Sequence, residues 1–264
     1  MLLNSGAMKI VLIGSGNVAT HLGKAFHKAG HRILQVYGRT EKSASRLAKY
    51  LKAESINDLQ KLHPKADVYF IALKDEAIAE IISFIPNKEA IVLHTSGSVS
   101  IDIFPNSFSN ACIAYPLQTF SLTRKLDISN VPFCLESRNP STKVRLRKLI
   151  HSISEHTYWI NSDERKTLHL AAVFANNFSN HLFVIAEELL KKKNLPFDLL
   201  RPLILETAKK VQQHSALAMQ TGPARRGDVQ TLEKHLKLLD DSPDYAALYS
   251  LFTDSIEAHN GAVL

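Results

Sequence analysis

Met-Lys-Ile-Val-Leu-Ile-Gly-Ser-Gly-Asn-Val-Ala, residues 8–19, is the stretch whose reading decides the fold. An apolar run from Ile10 to Ile13 ends at Gly14, with Gly16 two positions on and Ala19 five positions on. This is the dinucleotide fingerprint G-x-G-x-x-[GA], set after a strand and opening a helix. Gly14 permits the tight turn, and Gly16 lets a pyrophosphate approach the backbone. Ala19 lets the helix pack close to the strand. The helix start offers unpaired N–H groups and a positive dipole end to phosphates. Gly14, Ser15, Gly16, Asn17 and Val18 are therefore the first candidate cofactor contacts.

Outward from this turn, strand and helix patterns alternate. A helix over 18–29 stops at Gly30, and a strand over 32–37 and a helix over 41–51 follow. Strands are predicted at 54–56, 67–73, 90–95, 111–115, 132–135 and 157–160, with helices at 75–84 and 140–154. Such alternation implies a doubly wound, mostly parallel α/β sheet of Rossmann type. Beyond residue 161 nothing reads as a strand. Ser162-Asp163-Glu164 is expected to cap a long helix reaching residue 193, about 45 Å at 1.5 Å per residue. A second helix starts at Pro196 or Pro202 and runs to about Met219, followed by a loop over 220–227. Two final helices span 228–239 and 243–259. The expectation is a dinucleotide-binding domain over 8–160 and an all-α domain over 161–264.

Composition sets the outer bounds. The chain has 264 residues, with 45% hydrophobic and 22% charged, as in ordinary globular proteins. No apolar run is long enough to span a membrane, and residues 1–7 lack the basic and apolar regions of a signal peptide. Met8 is a second candidate start. Cys112 and Cys134 form no C-x-x-C pair and read as buried thiols of a reducing, cytoplasmic protein. The net charge of +7 raises nucleic acid as a partner. The basic clusters at 145–148, 191–193, 209–210 and 225–226 carry no aromatic interleaving, so solvated helix ends are the better reading. Twelve histidines raise a metal site, but no pair has ligand spacing and none is expected.

The second strand's end selects the cofactor. An NAD site calls for Asp or Glu there. The chain instead reads Val36-Tyr37-Gly38-Arg39-Thr40. Arg39 can bond a 2′-phosphate, and Thr40 and Ser43 add hydroxyls, which favours NADP (NADPH). The plainer alternative makes Arg39 a solvated turn residue and Thr40 a helix cap. Ligands bind at the carboxyl ends of such strands, which adds Ala72 and Leu73 after the fourth strand and Ser96 and Gly97 after the fifth. Tyr115-Pro116-Leu117-Gln118 occupies the same position after the sixth.

Gly-Ser-Gly-Asn-Val-Ala at 14–19, Gly38-Arg39-Thr40, Ala72-Leu73-Lys74-Asp75, His94-Thr95-Ser96-Gly97 and Tyr115-Pro116-Leu117-Gln118 together resemble pyrroline-5-carboxylate reductase and its relatives. Those belong to the 6-phosphogluconate dehydrogenase-like group. Within it, the chain is most similar to a bacterial branch of NADP-dependent oxidoreductases without assigned substrates. The branch carries a Thr-Gly-Pro…Arg-Gly-Asp loop, here Thr221-Gly222-Pro223 and Arg226-Gly227-Asp228. The resemblance runs from Met8 over nearly the whole chain. It implies an NADP-binding domain, a helical second domain and a homodimer built through that domain. Relatives that oxidise hydroxy acids carry Lys-x-x-x-Asn on the first long helix, whereas Lys166 here is followed by Leu170.

The catalytic candidates therefore come from that helix's other polar residues. His169, Asn176 and Asn180 are spaced by seven and four, as one helical face requires. His169 suits proton transfer at neutral pH, and Asn176 can orient a substrate carbonyl or carboxylate. The bland alternative is a helix whose polar side faces water. The expected function is NADP-dependent hydride transfer to or from a small carbonyl, imine or alcohol in the interdomain cleft. The rival is an NADP-binding sensor or scaffold without turnover, favoured by the missing Lys-x-x-x-Asn pair.

Overall fold

A computed structural model describes residues 6–261, which divide into two compact units meeting in sequence at Ala175 and Asn176. Residues 1–5, most of the segment read above for a leader, lie outside the described residues.

The first unit is built on β1 (Lys9–Ile13), α1 (Asn17–Lys28), β2 (Arg32–Tyr37), α2 (Glu41–Leu51), β3 (Glu54–Ile56), β4 (Val68–Ile71), α3 (Asp75–Ser83) and β5 (Ile91–His94). It continues through β6 (Ala111–Pro116), β7 (Phe133–Ser137), α4 (Pro140–His151), β8 (Thr157–Trp159) and α5 (Ser162–Ala172). The eight strands lie in the order β3-β2-β1-β4-β5-β6-β7-β8. The chain changes direction of travel across the sheet between β1 and β4, the switch point at which doubly wound sheets bind ligands.

Side-chain alternation makes this sheet two-faced. Ile10 and Leu12 of β1, with Val68, Phe70 and Leu93, pack under Leu22 and Phe26 of α1, Leu47 of α2 and Leu149 of α4. Val11, Ile13, Tyr69, Ile71 and Val92 point the other way, onto Ile78, Ile81 and Ile82 of α3. Central strands buried on both faces read as continuous apolar runs, which is why their sequences show no alternation.

One strand pair departs from the parallel rule: β6 and β7 run antiparallel. The link between them, 117–132, holds only the short 3-10 turn Ile128–Asn130 among its regular elements. Without a crossover helix the chain returns beside β6 in the opposite sense.

The second unit comprises α6 (Ser179–Lys191), α7 (Arg201–Gln213), α8 (Pro223–Arg226), α9 (Val229–Leu238) and α10 (Pro243–Gly261). Several details differ from the sequence expectation. The long helix predicted from 162 to 193 is α5 and α6 joined by a π-helical segment, Val173–Phe178. The wider π turn breaks the 3.6-residue period, so spacing alone does not put His169, Asn176 and Asn180 on one face. The second helix ends at Gln213 rather than near Met219. The expected loop over 220–227 contains the short helix α8, which starts at Pro223 and ends at Gly227 in the left-handed conformation, φ 64°. Asp228 caps α9, accepting the Thr231 N–H at 3.1 Å.

Among the described residues of this unit, only Ala224 and Leu239 are buried. Leu182, Phe183, Val184, Leu203 and Leu205 stay exposed on α6 and α7. Among the described residues no helix is long and apolar enough to cross a membrane.

Candidate active site

The strand register places four loops on one edge of the sheet. Ile13 pairs with Ile71, Ile71 with His94, and His94 with Ile113, so the turns after β1, β4 and β5 emerge together, and β6 runs past them to Tyr115 and Pro116.

At the first of these turns Gly14 has φ +130°, and its N–H bonds Tyr37 O at 2.9 Å. A Cβ at Gly14 would lie 2.3 Å from Ala72 O, so a side chain there would separate the turn from the end of β4. Gly16 is different: a Cβ would meet nothing within 4 Å, so the space over it is open. Gly16 is also the N-cap of α1, with no side-chain cap and no acidic residue in the first turn. The first-turn N–H groups have no intrahelical acceptor, and no carboxylate of that turn competes for a ligand's place. An open backbone cradle at an uncapped helix start fits a pyrophosphate.

Beside this cradle stands a hydroxyl cluster. Ser15 Oγ donates to Ser43 Oγ at 3.0 Å, and Ser43 Oγ lies 2.9 Å from Thr40 Oγ1. Thr40 occupies the N-cap of α2, but its side chain makes no capping bond. Arg39 is exposed and enters no ion pair found among the described residues. A guanidinium next to hydroxyls suits a 2′-phosphate. Asn17 serves otherwise, because its side-chain amide donates to Phe120 O at 2.9 Å, leaving its backbone N–H for a ligand. His21 Nε2 meets Ser121 O at 2.9 Å, so α1 also anchors the segment after β6.

The β5 loop is braced from within. Ser96 Oγ accepts the N–H groups of Ser98 and Val99, both at 3.1 Å, and Ser98 Oγ donates to Asp75. The Ser96 side chain is thus spent on shaping the loop, and any ligand contact there falls to the backbone. His94 is fully buried, accepts the Ser96 N–H at Nδ1 and stacks on Phe104 with ring centroids 5.6 Å apart. Burial, followed by the positive charge of Arg165, pushes its pKa down to about 4. His94 is therefore a neutral scaffold residue.

His169 lies on α5 within the first unit, and its Nδ1 is 3.0 Å from the Tyr115 hydroxyl. The two rings meet edge-on at 82°. A Cβ at Gly97 would sit 2.7 Å from His169 Nδ1 and 3.0 Å from Tyr115 Cζ. Tyr115, His169 and Gly97 are thus in contact at the carboxyl edge of the sheet. Burial, then the neighbouring Cys134, raises the Tyr115 pKa and keeps the phenol protonated.

Helix α5 is set in place by its N-terminal residues. Its cap is Asn161 rather than Ser162: Asn161 Oδ1 accepts from Asp163 and Glu164, and Glu164 Oε2 accepts the Asn161 N–H at 2.8 Å. This leaves Ser162 Oγ to accept the Ile101 N–H at 3.0 Å and donate to Glu136 at 2.8 Å. Arg165 is fully buried and pairs with Glu136 of β7 and with Val99 O. Lys166 faces outward, 3.1 Å from Asp163. Asn176 is exposed in the π segment, and Asn180 lines a groove of the second unit with Phe183 and Arg201.

The structure brings His169 and Gly97, both candidates from the sequence, together with Tyr115; the sequence reading did not pair Tyr115 with His169 and named neither Arg165 nor Glu136. The signal for Arg165 was its position one helical turn before His169. Cys112 and Cys134 are buried free thiols, with pKa values pushed up by burial to about 12 and about 11. Among the described residues no group of three or more His, Cys, Asp or Glu could hold a metal ion.

A Rossmann-type sheet with a glycine cradle at its switch point, followed by a helical unit, defines a dinucleotide-dependent oxidoreductase class. Residues 9–97 match the family described as "NADP oxidoreductase coenzyme F420-dependent", and residues 131–256 match a domain of unknown function, DUF2520. The chain is 42% identical to the Bacteroides fragilis protein BF3122, described as a "putative NADP oxidoreductase", with 96% of this chain and 98% of that one covered and a TM-score of 0.88. The chain belongs to this family of NADP oxidoreductases, in which an NADP-binding domain is followed by a DUF2520 domain, and NADP is the family's cofactor. The fold is shared with an imine reductase of Myxococcus stipitatus in complex with NADP+, at 16% identity, covering 97% and 96% of the two chains, TM-score 0.67. It is also shared with a pyrroline-5-carboxylate reductase of Coxiella burnetii, at 14% identity, covering 97% and 98%, TM-score 0.58. A comparison with curated proteins finds no match.

Proposed function

We propose that this chain is an NADP-dependent reductase acting on a small carbonyl or imine, with the alcohol or amine as substrate in reverse. The observation that carries the reading is the Tyr115–His169 pair, 3.0 Å apart beside Gly97, on the sheet edge that also bears the Gly14 cradle. Bound NADPH supplies the hydride. Gly14 to Val18 receive the pyrophosphate on backbone N–H groups, and Arg39 with Thr40 holds the 2′-phosphate. Ala72, Leu73, Ser96 and Gly97 form the floor along the carboxyl ends of β4 and β5.

The chain's own chemistry is a proton transfer. With hydrogen on Nδ1, His169 donates to the Tyr115 oxygen and frees the phenolic O–H for the substrate heteroatom. As the heteroatom gains electrons, the Tyr115 O–H bond breaks and an O–H or N–H bond forms on substrate. His169 Nδ1 passes its proton to the Tyr115 oxygen while Nε2 takes one from solvent, so the ring changes tautomer and stays neutral. Asn176 is assigned the orientation of a substrate carbonyl or carboxylate.

The assembly in this reading is a homodimer formed through the helical unit, whose exposed Leu182, Phe183, Leu203 and Leu205 a second copy would cover. The location is cytoplasmic, in keeping with two buried free thiols. A second reading, an NADP-binding sensor without turnover, is favoured by the missing Lys-x-x-x-Asn pair: Lys166 has Leu170 four residues on and is paired with Asp163 at 3.1 Å.

Loss of NADPH absorbance over a panel of cyclic imines, keto acids and ketones tests the first reading against the second. Substrate-dependent loss that falls about 100-fold or more in H169A supports the reductase. Tight NADPH binding with no turnover on any member supports the sensor.

A further inference from the structure

Helix α5 carries the proton-handling histidine, yet it is not seated by apolar burial. Of its eleven residues the buried ones are Ser162 and Arg165. Both are polar, and both reach the sheet domain through hydrogen bonds. Arg165 does the larger share. Its side chain is wholly inaccessible, one Nη bonds Glu136 on β7, and the other bonds Val99 O in the β5 loop and lies 3.2 Å from Ser162 Oγ. Its Nε has no partner, so everything it fixes runs through the two terminal nitrogens.

Those contacts join three elements. Val99 is two residues beyond Gly97, and Glu136 stands in register with Ile113 of β6, two residues before Tyr115. Arg165 and His169 are one helical turn apart, so they share a stripe of α5. The downstream part of the β5 segment is held by other side chains: Ser162 Oγ accepts the Ile101 N–H at 3.0 Å, and Arg138 donates to Ile101 O, Phe104 O and Pro105 O at 2.9–3.2 Å. Ser162 ties α5 to Ile101 and Glu136, and Arg165 adds the bond to Val99 O, two residues from Gly97, joining that loop, β7 and the histidine helix through one guanidinium.

We infer that Arg165 is a positioning residue, whose fork between Glu136 and Val99 O sets the height and rotation of α5 and thereby holds His169 Nδ1 against Tyr115 and Gly97. Two rigid donors on one planar group fix an orientation, whereas a lysine ammonium is a single point and does not span both acceptors. Hydrogen-bond placement matters here because a displacement of about 1 Å at a reacting group costs about 100-fold in rate. The inference rests on the reading of His169 as the proton-handling residue, but its geometry is measurable without turnover.

The test compares wild type, R165K, E136Q and Y115F by imidazole nitrogen–proton NMR of His169, NADPH affinity by fluorescence quenching, and kcat and KM where a substrate is in hand. Y115F marks the signal of a His169 that has lost its partner. R165K is expected to move the His169 Nδ1 signal toward the Y115F position, lower kcat about 10- to 100-fold, and leave KM and NADPH affinity within about twofold. E136Q should move the signal the same way by less, and it decides the matter where R165K does not fold. A folded R165K, or failing that E136Q, with the wild-type His169 signal overturns the inference. Undiminished turnover in H169A would refute the proton reading alone, since the NMR shift still reports on Arg165.

Discussion

Gly97 fixes how closely His169 and Tyr115 approach the loop after β5. An added methyl group would stand 2.7 Å from His169 Nδ1, well inside van der Waals contact. G97A should therefore displace His169 from Tyr115, lowering turnover about 10-fold or more while the sheet domain keeps its stability. Unchanged kinetics in G97A would mean that the imidazole is not held there during the reaction. His94 makes a different prediction. The fold favours its neutral form, so its contribution is complete above pH 6.5 and is lost as pH falls from 6.5 toward 4. A shift of that size corresponds to about 3 kcal/mol, and His31, also depressed by burial, acts in the same direction. H94F, keeping the stack on Phe104, should flatten the acid limb of a plot of urea midpoint against pH, and parallel limbs for wild type and H94F would refute the assignment. At this scale the sequence revealed residue types and not pairs. His169 stood out as a proton carrier, but Tyr115 lies 54 positions away and only strand register brings the two together. Arg165 drew no reading from the sequence, since burial of a cation depends on an acid on a strand that no local pattern connects to it.

Elements were more legible, because each depends on its own neighbourhood. The fingerprint turn, α1, β2 and α2 lie within a residue or two of the sequence reading, since glycine stops, cap residues and apolar spacing all agree there. Three features escaped. The antiparallel β7 follows from a link without a crossover helix, which no strand pattern reveals. The π segment at Val173–Phe178 is invisible to a 3.6-residue template. Short α8 hides behind Pro and Gly, which also mark loops. The end of β2 yields the cofactor prediction: R39A should weaken NADPH about 10- to 100-fold and leave NADH nearly unchanged. Titration of both nucleotides by fluorescence checks this, and equal weakening of the two would assign Arg39 a role outside the 2′-phosphate.

For the whole molecule, the sheet unit closes its own core and the helical unit does not. Its long apolar side chains are exposed in one chain, so the homodimer reading predicts twice the monomer mass in light scattering at micromolar concentration. L203E on α7, where Leu203 is 62% exposed, should shift the protein toward monomer. A monodisperse wild-type monomer would contradict that assembly. The central claim remains that this NADP oxidoreductase moves a proton through Tyr115 and His169. Single-turnover NADPH oxidation by wild type and Y115F, each loaded with cofactor and mixed with the imine and ketone panel, tests it most directly. The account predicts substrate-dependent oxidation by wild type, and in Y115F a loss of about 100-fold or more with NADPH affinity within about twofold of wild type. Wild-type rates in Y115F, or NADPH held without oxidation across the whole panel, would contradict it.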